Sequence, residues 1–545
     1  MAVTSEGDSQ DTLSAWPVSR PARARRRPAA AWLRRARRHW LLTGLLVAGL
    51  ALRVITQLAY RPALLYIDSP KYLVNGLQKY DPQGYRALVA APLSWIGNLA
   101  VVAGFQHLLG LAMAVTIYVV LLRRGAPRWA AALAAAPVLL DAYQLQMEQT
   151  IMPDVLFEAL IVAGLAILAW KPRPSLIAVE VAAFILGTSA TVRQVGEALI
   201  VPPLLYCVLS ARGWRARLGA AALVSVSFAI PVLGYMAYSS LDLGNGFELS
   251  TQGNSVLYGR VAAAADCDTL QVSAAVRAAC PTPATVRSMG IDGLVNNPSS
   301  PAYTAALPNG ATHQFADQHL SYAVLEQQPL RVAVAIGQDA VKLFALTRNT
   351  SPGDTPIWRW QFQDYYPLYP VAITSNSATQ MFANAGGGGA PVAVRPLAAF
   401  LRDYQLRGGW TPGPFLLVSL IAGVAGVATG RRRGDNSAAL VCLLVTALGV
   451  TALLGADLYE FSWRYQLPAL VTLPAAGALG VAAIRNRLRP APQPQAQPET
   501  QPEPLAQLQP PLQPPVAWGP CPPTASDQTS GPSIPGSSTR TPGSG

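Results

Sequence analysis

Long apolar runs separated by short polar connections dominate the chain. Runs near 41–60, 100–122, 129–146, 151–170, 175–191, 196–211, 218–239, 412–429, 437–456 and 465–484 approach or reach the roughly 20 residues that cross a bilayer as helix. They predict an all-α polytopic membrane bundle of about ten transmembrane helices. Residues 240–410 interrupt the series with a polar block rich in Asn, Ser, Gly and Pro, long enough for a domain of its own. It is expected to be α+β or mainly irregular. Inside it, Leu330 to Leu346 has helical apolar spacing, and Gly386 to Gly389 marks a flexible turn. The first run lies far from the N-terminus and carries Arg53, so it reads as a retained span and not as a signal-peptide core.

The predicted order is a basic disordered cytoplasmic tail (1–40), an N-terminal transmembrane region (41–239) with a first outer loop (61–99), an extracytoplasmic domain (240–410), a C-terminal transmembrane region (411–486) and a Pro-rich disordered cytoplasmic tail (487–545). Interfacial helices are expected in the first loop around Lys71 to Lys79 and Leu88 to Ile96.

Composition supports the membrane reading, with 51% hydrophobic and 13% charged residues. The formal net charge of +13 raises nucleic acid as a partner, but the placement of the cations argues against it. Arg123 and Arg124, Lys171 and Arg173, Arg212, Arg431 and Arg485 occupy alternate connections, whereas Asp141, Glu148, Asp457 and Glu460 occupy the others. That bias puts the arginine-bearing connections and both termini in the cytoplasm. The expected location is a plasma membrane crossed many times, and the excess of Arg over Lys points to a bacterial source. Of five cysteines, Cys267 and Cys280 alone fall in the polar block. They suit one disulfide in an oxidising compartment, with two free thiols as the alternative.

The sharpest chemical signal is Tyr66-Ile67-Asp68-Ser69-Pro70-Lys71-Tyr72 in the first outer loop. A carboxylate at a membrane surface can take a proton from an incoming hydroxyl; Asp68 also suits the cap of an interfacial helix. Glu148 and Asp154 are candidates to line a site with it, because ionisable groups at membrane depth usually face a bundle interior or a wet cavity. For Asp154 a helix cap is the alternative. Outer-side cations are scarce, which singles out Arg53, Arg193 and Arg464 as partners for a phosphate. Neutralisation by Glu197 and Glu460 is the competing reading for the last two. His107 suits packing or hydrogen bonding better than metal ligation. No nucleotide-binding or hydrolase motif occurs.

The order of these groups resembles the GT-C class of membrane glycosyltransferases, particularly bacterial relatives of protein O-mannosyltransferases and aminoarabinose-to-lipid-A transferases. Arg53 followed by Asp68 and Tyr72, the run Gln106 to Gly110 ending at Arg123 and Arg124, Glu148 to Phe157, Thr191-Val192-Arg193, and Arg464-Tyr465 with Pro468 are similar to the family's segments. The resemblance implies inverting transfer from a polyprenyl-phosphate sugar, a lipid-linked co-substrate, to an envelope glycan or protein on the outer face. Asp68 would be the base or the carboxylate that orients the acceptor. Arg193 and Arg464 would hold donor phosphate, and Tyr72, Lys71, Glu148 and Asp154 would complete the binding site. Many relatives carry a second acid where this chain has Ser69, so a divalent metal stays open and no metal ligand is assigned. Two other readings stand beside it: a non-catalytic envelope protein that binds a polysaccharide or protein through its outer domain, and a lipid-linked sugar transporter or flippase.

Overall fold

The computed structural model describes residues 37–73, 81–308, 310–367, 387–432 and 436–488. The two predicted tails, apart from their bundle-proximal residues, and most of the expected Lys71 to Lys79 helix lie outside them. All ten apolar runs are helical. In chain order they give α1 (Trp40–Ala59), α2 (Leu99–Arg123), α3 (Arg128–Leu140), α4 (Ala142–Gln149), α5 (Asp154–Ala169), α6 (Leu176–Val192), α7 (Val201–Ser210) and α8 (Trp214–Leu241).

After the polar block come α14 (Gly413–Arg432), α15 (Asn436–Asp457) and α16 (Pro468–Leu488). Among the described residues six helices are long and apolar enough to cross a membrane: α1, α2, α8, α14, α15 and α16. The expected count of about ten is therefore not reached by length. The run at 129–146 stops at Asp141, whose carboxylate accepts from Tyr143 N at 2.9 Å and so starts a new helix, α4. Asp141 is not the solvated loop residue its polarity suggests. It is 1% exposed and also accepts from Arg348 and from Thr411 N.

Close helix contact relies on small residues, as expected where lipid offers no hydrophobic drive. A Cβ on Gly480 of α16 would sit 1.9 Å from the Ala422 carbonyl of α14, and one on Gly187 of α6 would sit 2.2 Å from the Phe228 carbonyl of α8.

Among its described residues the polar block consists of helices joined by irregular connections, with β-structure confined to a two-residue strand. It supplies α9 (Gly253–Ala264), α10 (Pro283–Asn296), α11 (His313–Gln327), α12 (Pro329–Lys342) and α13 (Arg395–Leu406), with shorter helices at Ala274–Ala278 and Pro301–Thr304. The Ser, Thr and Pro residues that look irregular in the sequence are helix starts. Ser273, Thr282, Ser300 and Thr312 each accept a backbone N–H of the helix that follows, and Pro283, Pro301 and Pro329 stand in first turns. A separate buried cluster holds α9 to α12 together, including Tyr258, Leu294, Leu320, Val324 and Val332, whereas Ala398 and Leu401 of α13 pack with Ala59, Tyr60 and Leu145 of the bundle. Cys267 and Cys280 are disulfide-bonded beside it. Among the described residues the strand content is one antiparallel pair of two-residue strands, β1 (Tyr60–Arg61) and β2 (Val392–Ala393).

The two ends of the bundle differ chemically. At one end His39 meets the Tyr118 hydroxyl at 2.7 Å, Arg124 donates to the Ala169 carbonyl at 2.6 Å, and the Arg123 guanidinium lies 4.2 Å from the Trp170 ring centre. The connections after α2 and α5 are thus neighbours. The opposite end carries the first loop, the start of α5, the end of α6, the end of α15 and the helices of the polar block. There Arg260 of α9 donates to Asp339 of α12 and to the backbone carbonyl of Asp457, each at 2.5 Å. Asp339 also pairs with Lys342 at 2.8 Å. This chain of contacts ties α9 and α12 to the last residue of α15.

Candidate active site

The first loop is fixed by a serine. Ser69 Oγ accepts from Tyr66 N at 2.8 Å and donates to the Ile151 carbonyl at 2.9 Å, both buried. This bridge holds Asp68 against the connection that leads into α5, just ahead of a short helix at Ser69–Leu73. Asp68 therefore stands at a helix start, as a capping residue would, and also at the edge of a cavity.

That cavity, of about 520 Å³, lies between the bundle end and the polar-block helices. From the bundle side come Asp68, Lys71, Tyr72, Arg193, Arg464 and Tyr465; from the polar-block side come Gln252, Asp292, Asn296, Arg359 and Trp360. Groups distant in sequence thus share one crevice.

The ions are arranged in pairs. Lys71 lies 3.0 Å from Asp68 and 2.6 Å from Asp81. Arg464 donates through Nε to both oxygens of Asp154, at 3.0 and 3.2 Å, and its Nη1 lies 3.4 Å from Asp68. Arg193, which ends α6, is ion-paired with the same Asp154. Aromatic rings flank both guanidiniums. Tyr465 is 4.6 Å from Arg193 and 5.2 Å from Arg464, and Trp360 is 5.3 Å from Arg464, which adds cation–π attraction and limits hydration.

Asp68 keeps 26% of its side chain exposed. Burial alone would raise its carboxyl, but Lys71 and Arg464 more than offset that and hold it below the ordinary carboxylate range. Burial would lower the Lys71 ammonium, yet Asp68 and Asp81 raise it above its ordinary value. Glu460 behaves in the opposite way to Asp68. Loss of water pushes it up, the nearby Asp292 charge adds to the effect, and Arg464, a hydrogen bond from the Tyr465 hydroxyl and Arg359 offset it only in part, leaving it at about 8.

Of the residues singled out in the sequence, Asp68, Lys71, Tyr72, Arg193 and Arg464 line the cavity. Asp154 lies behind the wall, 2% exposed, where it anchors both arginines. Glu148 corrects the reading. It is fully buried between helices, 2.6 Å from Arg53 and 2.9 Å from His107, and is absent from the cavity wall. Arg53 also donates to the carbonyls of Gly49, Val138 and Leu139, and His107 completes the set through Gln149 at 2.8 Å. Arg53 and Glu148 satisfy one another inside the bundle, so neither lines the cavity. Arg193 and Arg464 take their ion pairs from Asp154 and Asp68, not from Glu197 and Glu460.

Sequence reasoning missed Arg359, Trp360 and Asp292 as wall residues, and treated Glu460 only as a counter-ion. The tryptophans on either side of Arg359 in an otherwise polar stretch were the available signal. Among the described residues no three His, Cys, Asp or Glu side chains are grouped to hold a metal ion.

No protein-family model matches the chain, and no curated protein matches it. Among solved structures, the oligosaccharyltransferase AglB of Archaeoglobus fulgidus, in complex with an inhibitory peptide and a dolichol-phosphate, aligns at 12% identity and a TM-score of 0.33 over 83% of this chain and 51% of that one. The apo form of the Archaeoglobus fulgidus oligosaccharyltransferase gives 12% identity and a TM-score of 0.35 with the same coverage. The chain spans about half the length of each structure.

Proposed function

We propose that the protein is a membrane glycosyltransferase that moves a sugar from a polyprenyl-phosphate donor to a cell-envelope acceptor on the outer face of the membrane. One observation carries this reading: a carboxylate and three cations, Asp68 with Lys71, Arg193 and Arg464, face one cavity at the end of the bundle. A volume of about 520 Å³ is of the size that holds a small ligand, here a sugar and its phosphate. Soluble sugar nucleotides are not expected outside a cell, whereas a lipid phosphate delivers the sugar already activated and at the membrane surface.

Guanidinium groups suit this task because they meet phosphate oxygens with paired hydrogen bonds. In the resting site Arg464 is shared between Asp154 and Asp68. A donor phosphate competes for that guanidinium, and in doing so it loosens the hold on Asp68. The carboxylate is then free to accept a hydrogen bond from an acceptor hydroxyl and orient its oxygen towards the sugar. As the bond to phosphate breaks, negative charge grows on the leaving oxygen beside Arg193 and Arg464. Preplaced donors of this kind contribute on the order of 10²–10³ in rate each.

The test uses Asp68→Asn and Arg464→Gln in membranes supplied with polyprenyl-phosphate hexose or pentose. Each variant is expected to consume donor at least about 100-fold more slowly than the parent. Full activity in a normally folded Asp68→Asn variant removes Asp68 from the mechanism.

A further inference from the structure

The carboxylates on the cavity wall are not equivalent. Asp68 is paired with Lys71 and Arg464, Asp81 with Lys71, and Asp292 with Arg359 at 3.3 Å. Glu460 lines the same cavity and, among the described residues, forms no ion pair. It sits in the connection between α15 and α16, between Asp457, whose carbonyl Arg260 holds, and Arg464. The groups facing it are Asp292 on α10, Arg359 on the Ile357–Trp360 turn, and Arg464 and Tyr465 on its own connection; Arg193 of α6 lies behind Tyr465. Asp292 repels its ionised form, and the nearer cations are committed to other acids. A cavity that keeps one carboxylate neutralised by cations and another beside a like charge separates two roles.

Building on the transferase reading, we propose that Glu460 takes the proton of the acceptor hydroxyl, leaving Asp68 to hold and orient that hydroxyl. In the step, the acceptor O–H bond breaks and its proton passes to a Glu460 carboxylate oxygen. The freed electron pair forms the bond to the anomeric carbon. The bond from that carbon to the phosphate oxygen breaks, and its electron pair leaves on polyprenyl phosphate. Glu460 then returns its proton to water. Asp68, held ionised by two cations, is a poor proton acceptor; a carboxyl that titrates near 8 is close to the optimum for a base at neutral pH.

The experiment has two arms, both on the full chain in lipid nanodiscs. Infrared difference titration of the parent against Glu460→Gln should isolate a carboxyl protonated at pH 7 that titrates near 8. The same band in Asp292→Asn should titrate lower, because that change removes the repelling charge and frees Arg359. The second arm follows consumption of polyprenyl-phosphate hexose and pentose against pH. The parent rate should rise through a midpoint near 8, Asp292→Asn should shift that limb downward, and Glu460→Gln should lose the limb and at least about 100-fold in rate. An active Glu460→Gln variant with the parent's pH profile overturns the assignment and leaves the transferase reading standing. So does the absence of a titrating band, and so does an upward shift in Asp292→Asn, which decides the matter even if Glu460→Gln fails to fold. A parent protein inert towards every polyprenyl-phosphate sugar removes the transferase reading itself, and this assignment with it.

Discussion

Removing Asp154 tests the site without touching a cavity-lining group. In the resting protein Lys71, Arg193 and Arg464 are balanced by Asp68, Asp81 and Asp154. Asp154→Asn leaves that set one positive charge in excess. Arg193 loses its ion-pair partner, and Arg464 keeps only Asp68 at 3.4 Å. Breaking a buried pair by deleting one partner costs about 3–5 kcal/mol, so the denaturant midpoint of the ligand-free variant should fall accordingly. An anion entering the cavity restores the balance. One extra unit charge about 4 Å from a phosphate is worth about 4 kcal/mol at an effective dielectric constant near 20, and a third of that is a tenfold change in affinity. Polyprenyl monophosphate in micelles should therefore bind the variant at least about tenfold more tightly and raise its midpoint more than it raises the parent's. A variant as stable as the parent, or equal protection of both proteins by the phosphate, would refute the claim that Asp154 holds two phosphate-seeking arginines in reserve.

Three further outcomes follow from other parts of the fold. Gly110→Ala places a Cβ 2.0 Å from Glu148 Oε1 and 2.7 Å from Arg53 Nη2, and should lower thermal stability by at least about 1–3 kcal/mol; Gly104→Ala on the same helix meets nothing within 4 Å and should lose nothing. Glu460→Gln should gain stability relative to the parent as pH rises from about 4 to about 8. The sign follows because the folded protein holds that carboxyl protonated over a range where the unfolded chain has released it, so the parent loses stability there; pH-dependent unfolding of the two proteins checks it. Opening the Cys267–Cys280 bridge, which closes a short loop, should cost about 3 kcal/mol and speed amide exchange around Leu320 and Val324, with exchange at the α1–α3 packing unchanged.

The apolar runs were legible because a lipid-facing helix needs little beyond length and composition, and all ten fall on helices. Their lengths were less legible. The break at Asp141 depends on a carboxylate accepting its own helix's N–H, which the apolar pattern of 129–146 does not reveal. The convergence of Asp68, Arg193 and Arg464 followed from their shared placement at alternate connections. Glu148 shares that placement and misled, because periodicity assigns an acid to an end of a helix and not to the neighbour it meets. Arg53, which lies 95 positions away in sequence, is what turns it inward. The wall contributed by Asp292, Arg359 and Trp360 was hidden for a related reason: the caps that build its helices use the same Ser, Thr and Pro residues as irregular chain.

The link from Arg260 to the Asp457 carbonyl has a practical consequence for anyone dissecting the protein. The segment between α8 and α14 is not a lid that can be excised to expose a working catalyst. It grips the backbone three residues before Glu460 and supplies Asp292 and Arg359 opposite it, so a shortened version should fail as a machine with a missing jaw. On the transferase reading, engineering of acceptor choice is better directed at single cavity-lining positions on α9 and α10, such as Val256 and Asn296, than at wholesale exchange of the segment.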